Sequence, residues 1–264
     1  MEFLRKNAVN LFFGIWLVIN LMQASATELF DDEAYYWLYS KFLDWGYYDH
    51  PPMIALVIKA GYGLFQNEFG LRLIIAVMST ATLAIIYRLL PSKNDGLFFA
   101  IACSMGLLQL GGIIAVPDIP LGFFVALFFL WYKRFIRKSS LVNGLLLGLA
   151  MALMLYSKYH GVLIIFFTFA SNLSLVKKPG AWLAAIFGAL LFAPHLLWQY
   201  AHDWPSIHFH LFERNASEYS FSFTIEYLIG QILLAGPLMG WLLLWKSFFY
   251  KSGDLFERAL KFCL

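Results

Sequence analysis

Asp31-Asp32-Glu33 stands directly ahead of Ala34-Tyr35-Tyr36-Trp37, and Tyr47-Tyr48-Asp49-His50-Pro51-Pro52 follows a short way on. Carboxylates accept protons in general-base catalysis, and here they share a stretch with aromatic rings straight after a long apolar segment, at a membrane surface. Ionisable groups at membrane depth are expensive, so a cluster of them marks function by default. Other polar positions fall between apolar runs: Arg72, Asp118 between Pro117 and Pro120, and Lys158 in Tyr156-Ser157-Lys158-Tyr159-His160. With no solvated loop to retreat to, Asp118 is expected to turn inward. His202, His208 and His210 invite a metal reading, but positions two apart share a face only in an extended segment. Their spacing resembles no zinc motif.

The elements that must position these groups are hydrocarbon-spanning. Of 264 residues, 61% are hydrophobic and 13% charged, with mean hydropathy +0.70, against about 25% charged in an ordinary soluble domain. Apolar runs near 8–26, 71–90, 96–116, 120–132, 141–156, 160–176, 181–199 and 225–245 approach the bilayer-crossing length of about 20 residues. The fold class expected is all-α: a polytopic bundle of about eight transmembrane helices, with residues 1–264 as one transmembrane domain. Cys103 and Cys263 are too few and too badly placed for a disulfide framework or a metal motif.

Charge orders the loops. If the apolar stretch 53–66 lies in the interface, 14 of the 19 basic residues fall on one side and 12 of the 16 acids on the other. The positive-inside rule makes the basic side cytoplasmic and the acidic loops, chiefly 27–69 and 200–224, outer or periplasmic. A crossing by 53–66 would destroy this asymmetry. Arg5-Lys6, an apolar run and Ala24-Ser25-Ala26 imitate a cleavable secretory signal; a retained first helix would tether the acidic loop. Within that loop, Glu33–Trp45 suits an amphipathic helix along the membrane, ended by Gly46, and Pro51-Pro52 starts the next segment.

In order, Asp32-Glu33 with Tyr35-Tyr36, Tyr47-Tyr48-Asp49-His50-Pro51-Pro52, Asn67-Glu68-Phe69-Gly70-Leu71-Arg72 and Pro117-Asp118-Ile119-Pro120 resemble the polytopic GT-C glycosyltransferases over about residues 5–215. Bacterial dolichyl-phosphate-mannose protein mannosyltransferase-like proteins and the aminoarabinose transferases of lipid A are the nearest in kind. The resemblance implies transfer of a sugar from a polyprenyl-phosphate carrier to an acceptor on the outer face of the bacterial inner membrane, with Asp32 as catalytic base. Where those transferases often carry lysine before the paired prolines, this sequence has His50. Those relatives are longer, so the family's C-terminal region is expected to be missing here.

A lipid phosphate leaves readily, so such an enzyme needs a carboxylate for the acceptor's proton and cations for the departing phosphate. Asp49 and Asp118 are expected to shape the sugar or acceptor site, with Glu33, Tyr36 and Tyr48 lining it; Lys158, His50 and Arg72 are the phosphate candidates. Each has a plainer reading. Asp32 could cap the helix that follows, Asp118 could satisfy amides at a helix start, Lys158 could snorkel, and the aromatic residues could be interfacial belt. No cofactor is required, although Asp32 and Asp118 offer a divalent cation two carboxylates. No Gly-rich nucleotide loop occurs, and no nucleic-acid partner is expected. A polyprenyl-lipid flippase would also use inward charges, but such transporters often carry repeats, and neither Asp-Glu nor Asp-His-Pro-Pro recurs in the later half. An inactive truncated relative is the third reading.

Overall fold

The computed structural model describes residues 2–214 and 219–264, and among them there are helices and no strands. The order is α1 (Glu2–Ala26), α2 (Asp31–Lys41), α3 (Met53–Tyr62), α4 (Glu68–Leu89), α5 (Asp95–Ser104), α6 (Gly106–Leu110), α7 (Asp118–Arg137), α8 (Leu141–Ser157), α9 (Gly161–Ser171), α10 (Pro179–Ala201), α11 (Pro205–His208), α12 (Phe221–Ala235), α13 (Trp241–Phe249) and α14 (Leu255–Phe262). Glu218, among the acids of the 200–224 loop, lies outside the described residues.

The chain is an all-α, multi-pass membrane protein, but the count of eight spans is corrected. Four helices among the described residues are long and apolar enough to cross, at Asn7–Ala26, Glu68–Leu89, Asp118–Arg137 and Pro179–Ala201; Phe221–Ala235 and Leu238–Phe249, bent by 85°, make a fifth if taken together. The apolar run 96–116 fails because its helix breaks at Met105, and the run 160–176 because α9 stops before Asn172. Hydropathy does not register either backbone break. With 10 residues, α3 rises only about 15 Å, half of the roughly 30 Å hydrocarbon thickness.

Contacts divide the chain into two compact units: Met1–Lys41, Ala55–Ile119 and Ala216–Trp245 form the first, and Phe42–Ile54, Pro120–Asn215 and Lys246–Leu264 the second. In the first, α1 packs on α4 and α5 around Trp16, Leu83, Phe98 and Ala102, with Phe12 stacked on Phe99 at 4.5 Å. Asn67 caps α4 by accepting from Gly70 N–H at 3.0 Å.

In the second unit, α8 packs along α10 through small residues. A Cβ on Gly148 would lie 2.5 Å from the Ala184 carbonyl oxygen, and one on Gly144 2.9 Å from that of Gly180. Membrane helices associate through such close backbone approach. Gly148→Val is therefore expected to lower stability by about 1–3 kcal/mol, the usual range for overpacking, read as earlier thermal aggregation in detergent.

Candidate functional site

In the first unit the acidic turn opens α2. The first helical bond runs from Ala34 N–H to the Phe30 carbonyl, which makes Phe30 the cap and Asp31, Asp32 and Glu33 the first three helical residues. Glu33 Oε2 accepts from Phe30 N–H at 3.1 Å, the backward half of a capping box. Capping thus falls to Glu33. Asp32 is exposed and, among the described residues, its side chain makes no hydrogen bond. The helix stops at Lys41, short of the expected Trp45, where the Tyr47 hydroxyl donates to the Phe42 carbonyl at 3.0 Å and accepts from Asp44 N–H at 3.2 Å.

Glu33 and Arg72 are both 0% exposed and paired. Arg72 Nε donates to Glu33 Oε1 at 2.8 Å, and one terminal nitrogen donates to Glu33 Oε2 and, at 2.7 Å, to the Glu28 carbonyl. The other terminal nitrogen donates to the Thr27 carbonyl at 2.7 Å, Thr27 Oγ1 at 2.8 Å and the Ala24 carbonyl at 3.3 Å. All five N–H groups of a guanidinium are therefore engaged by protein acceptors. Glu33 Oε1 also accepts from Ala115 N–H at 2.8 Å. The knot ties together the end of α1, the turn bearing Asp32, the start of α4 and the segment leading to Asp118. Asp118 itself is exposed as the first residue of α7, not turned inward as the flanking prolines suggested. Tyr36 is buried in α2.

The second unit holds a cavity of about 720 Å³. Its polar wall includes His50, Lys158, Tyr159, His195, Gln199, Ser206, His210 and Arg214; Val162, Leu163, Phe192, Leu196 and Ile207 make an apolar side. His50 pairs with Asp49 through Nδ1 at 2.8 Å, and His210 Nε2 donates to the Asp49 carbonyl at 2.9 Å. Tyr48 is exposed and its hydroxyl donates to Glu213, which also accepts from His208 at 2.7 Å. His202 stacks on Trp198 with ring centroids 4.2 Å apart. The three histidines of the 200–224 loop thus have separate partners.

Behind the cavity wall runs a hydrogen-bond chain. His195, 0% exposed, contacts the Trp45 carbonyl through Nδ1 at 2.6 Å and the Tyr159 hydroxyl through Nε2 at 2.9 Å. Gln199 Nε2 reaches Tyr159 Oη at 2.9 Å and Ser206 Oγ at 2.7 Å, and Ser206 donates to the Tyr47 carbonyl at 2.9 Å. Next to the Trp45 carbonyl, Gly46 leaves room for the Trp198 ring, which would lie 2.3 Å from any Cβ there. Asp203 and Trp204 adopt left-handed φ of 59° and 57°, a conformation that aspartate takes readily but that is costly for a residue as bulky as tryptophan, in the turn that carries Ser206 back to Gln199. Burial pushes the Tyr159 phenol up to about 12, so it stays protonated and able to donate at neutral pH. Of the residues expected from sequence, His50 and Lys158 line this cavity and Asp49 pairs with His50, while Tyr159, His195, Gln199, Ser206, His210 and Arg214 line it without having been expected as substrate-binding residues.

Residues 49–198 match the family model for dolichyl-phosphate-mannose-protein mannosyltransferase. The chain is also similar to the lipid A galacturonosyltransferase RgtD of Rhizobium johnstonii, at 27% identity over 248 residues that cover 88% of this chain and 52% of the relative. It thus spans about half the length of that curated relative. No solved structure matches.

Proposed function

This chain belongs to the dolichyl-phosphate-mannose-protein mannosyltransferase family, and from that premise we propose that it transfers a sugar from a polyprenyl-phosphate donor to a lipid, glycan or protein acceptor, with inversion and with Asp32 as base. The observation that carries this reading is the cavity of the second unit, which combines cationic side chains with an apolar wall, the two chemistries of a lipid phosphate. In the proposed reaction the acceptor hydroxyl gives its proton to Asp32 and its oxygen bonds to the anomeric carbon. The bond from that carbon to the phosphate oxygen breaks, and its electron pair leaves with the polyprenyl phosphate. Lys158 and His50 offset the departing charge, while Asp49 and Asp118 shape the sugar or acceptor site. Arg72, with every N–H engaged by protein, is assigned to positioning the Asp32 turn and not to the phosphate.

No cofactor enters this displacement; a divalent cation, where one takes part, has Asp32 and Asp118 as its carboxylates. The family resemblance is the ground for proposing an inner-membrane protein with a cytoplasmic N-terminus and a periplasmic reaction face; the loop charges do not add to it, because with crossings only at Asn7–Ala26, Glu68–Leu89, Asp118–Arg137 and Pro179–Ala201 the 27–69 and 200–224 loops fall on opposite sides. The name of the Rhizobium relative makes galacturonate and lipid A the first donor sugar and acceptor to test.

The test is to give purified protein a panel of polyprenyl-phosphate sugars with lipid A or peptide acceptors and measure released carrier phosphate. Release with at least one donor is expected, and Lys158→Gln should raise the KM for it about tenfold, the effect of losing one charge-assisted hydrogen bond. An absence of release from every donor and acceptor pair would overturn the reading.

A further inference from the structure

The hydrogen-bond chain behind the cavity has a fixed polarity. Both of its ends are backbone carbonyls, those of Trp45 and Tyr47, and a carbonyl only accepts. His195 Nδ1 therefore carries a proton, and in the neutral ring Nε2 is the acceptor; the Tyr159 proton goes to it. The Ser206 proton goes to Tyr47. With both hydroxyl protons committed, the contacts of Tyr159 Oη and Ser206 Oγ with Gln199 must be donated by an amide nitrogen. The orientation of the Gln199 amide follows from the network, and both hydrogens of Nε2 are used.

This leaves Gln199 Oε1, among the described residues, as an acceptor with no donor, although the residue is only 2% exposed. Buried acceptors are rarely left unpaired, and one that is calls for an explanation, a ligand among them. Gln199 lines the same cavity as Lys158 and His50.

We infer that Gln199 Oε1 accepts a hydrogen bond from a hydroxyl of the molecule that fills this cavity, which makes Gln199 a selectivity determinant for the sugar head of the donor. The inference rests on the donor reading above and deepens it. The phosphate meets the cationic groups and the prenyl chain the apolar wall, and one sugar hydroxyl is read by the amide oxygen. A site built to bond a hydroxyl discriminates against an analogue that lacks it, because its buried polar group then stays unpaired.

The experiment measures binding of polyprenyl phosphate, a polyprenyl-phosphate hexose and its set of monodeoxy analogues to the 264-residue chain, to Gln199→Met and to Ser206→Ala. For wild type, one analogue is expected to bind about tenfold more weakly than the parent sugar, the loss of one hydrogen bond. Gln199→Met should bind parent and analogue alike. Ser206→Ala, which removes a partner of Nε2 but leaves Oε1 in place, should keep the discrimination, so mere loosening of the network is told apart from loss of the acceptor. Equal discrimination by Gln199→Met and wild type, or its equal loss in Ser206→Ala, overturns the role of Gln199 and leaves the donor reading standing. Failure of wild type to bind even polyprenyl phosphate overturns the donor reading instead.

Discussion

Asp32→Asn is expected to lower the rate of sugar transfer about a thousandfold, within the range that general acid–base catalysis supplies, while the protein still inserts and folds. Asparagine keeps the shape of aspartate and removes its capacity to take a proton. The structural reason for expecting intact folding is that Asp32 is exposed, makes no side-chain hydrogen bond among the described residues, and leaves capping to Glu33. Loss of its charge from the first turn costs only about 0.3–1 kcal/mol of helix-dipole interaction. Asp31→Asn is the matched control, since it removes an equally exposed carboxylate from the same turn and should leave the rate near that of wild type. Transfer from a polyprenyl-phosphate sugar in membranes, with expression and thermal stability measured in parallel, separates the outcomes. Unchanged transfer by Asp32→Asn, or an equal loss in both variants, would remove Asp32 from the chemistry.

How far such a site can be read from sequence depends on whether a residue's partner is local. The start of α4 was legible to within a few residues from the apolar run 71–90, and the cap that fixes it is local too, Asn67 bonding an amide three residues on. The membrane class was legible because it is set by composition. The number of spans was not, since an apolar run looks the same whether or not the backbone breaks at Met105. Arg72 read as a phosphate candidate because the carboxylate that engages it is 39 residues away. His195 and Gln199 left a faint signal: two polar residues four apart share one face of a helix inside an apolar span. Polar groups at membrane depth carry the same functional presumption as the acidic turn. The carbonyls of Trp45 and Tyr47 that fix their orientation lie about 150 residues earlier, and no local pattern announces them.

Arg72→Met should produce the largest loss of stability, about 3–5 kcal/mol, the usual cost of removing one member of a buried ion pair. The loss has two sources. Glu33 would remain fully buried with its charge uncompensated, keeping, among the described residues, only the N–H groups of Phe30 and Ala115. The carbonyls of Ala24, Thr27 and Glu28 would also lose the donor that gathers them. Replacing both charges, in Glu33→Leu with Arg72→Met, should recover part of the stability, since a buried pair exchanged for apolar side chains of similar volume is often near neutral. That double variant should still transfer sugar poorly, because the turn bearing Asp32 and the segment leading to Asp118 would no longer share an anchor. Thermal unfolding in detergent for the two single variants and the double one gives the coupling energy, and transfer by the double variant tests the positioning role separately. A stable Arg72→Met protein whose only defect is a raised KM for the lipid-phosphate donor would show instead that the guanidinium meets the phosphate, and would return Arg72 to the substrate.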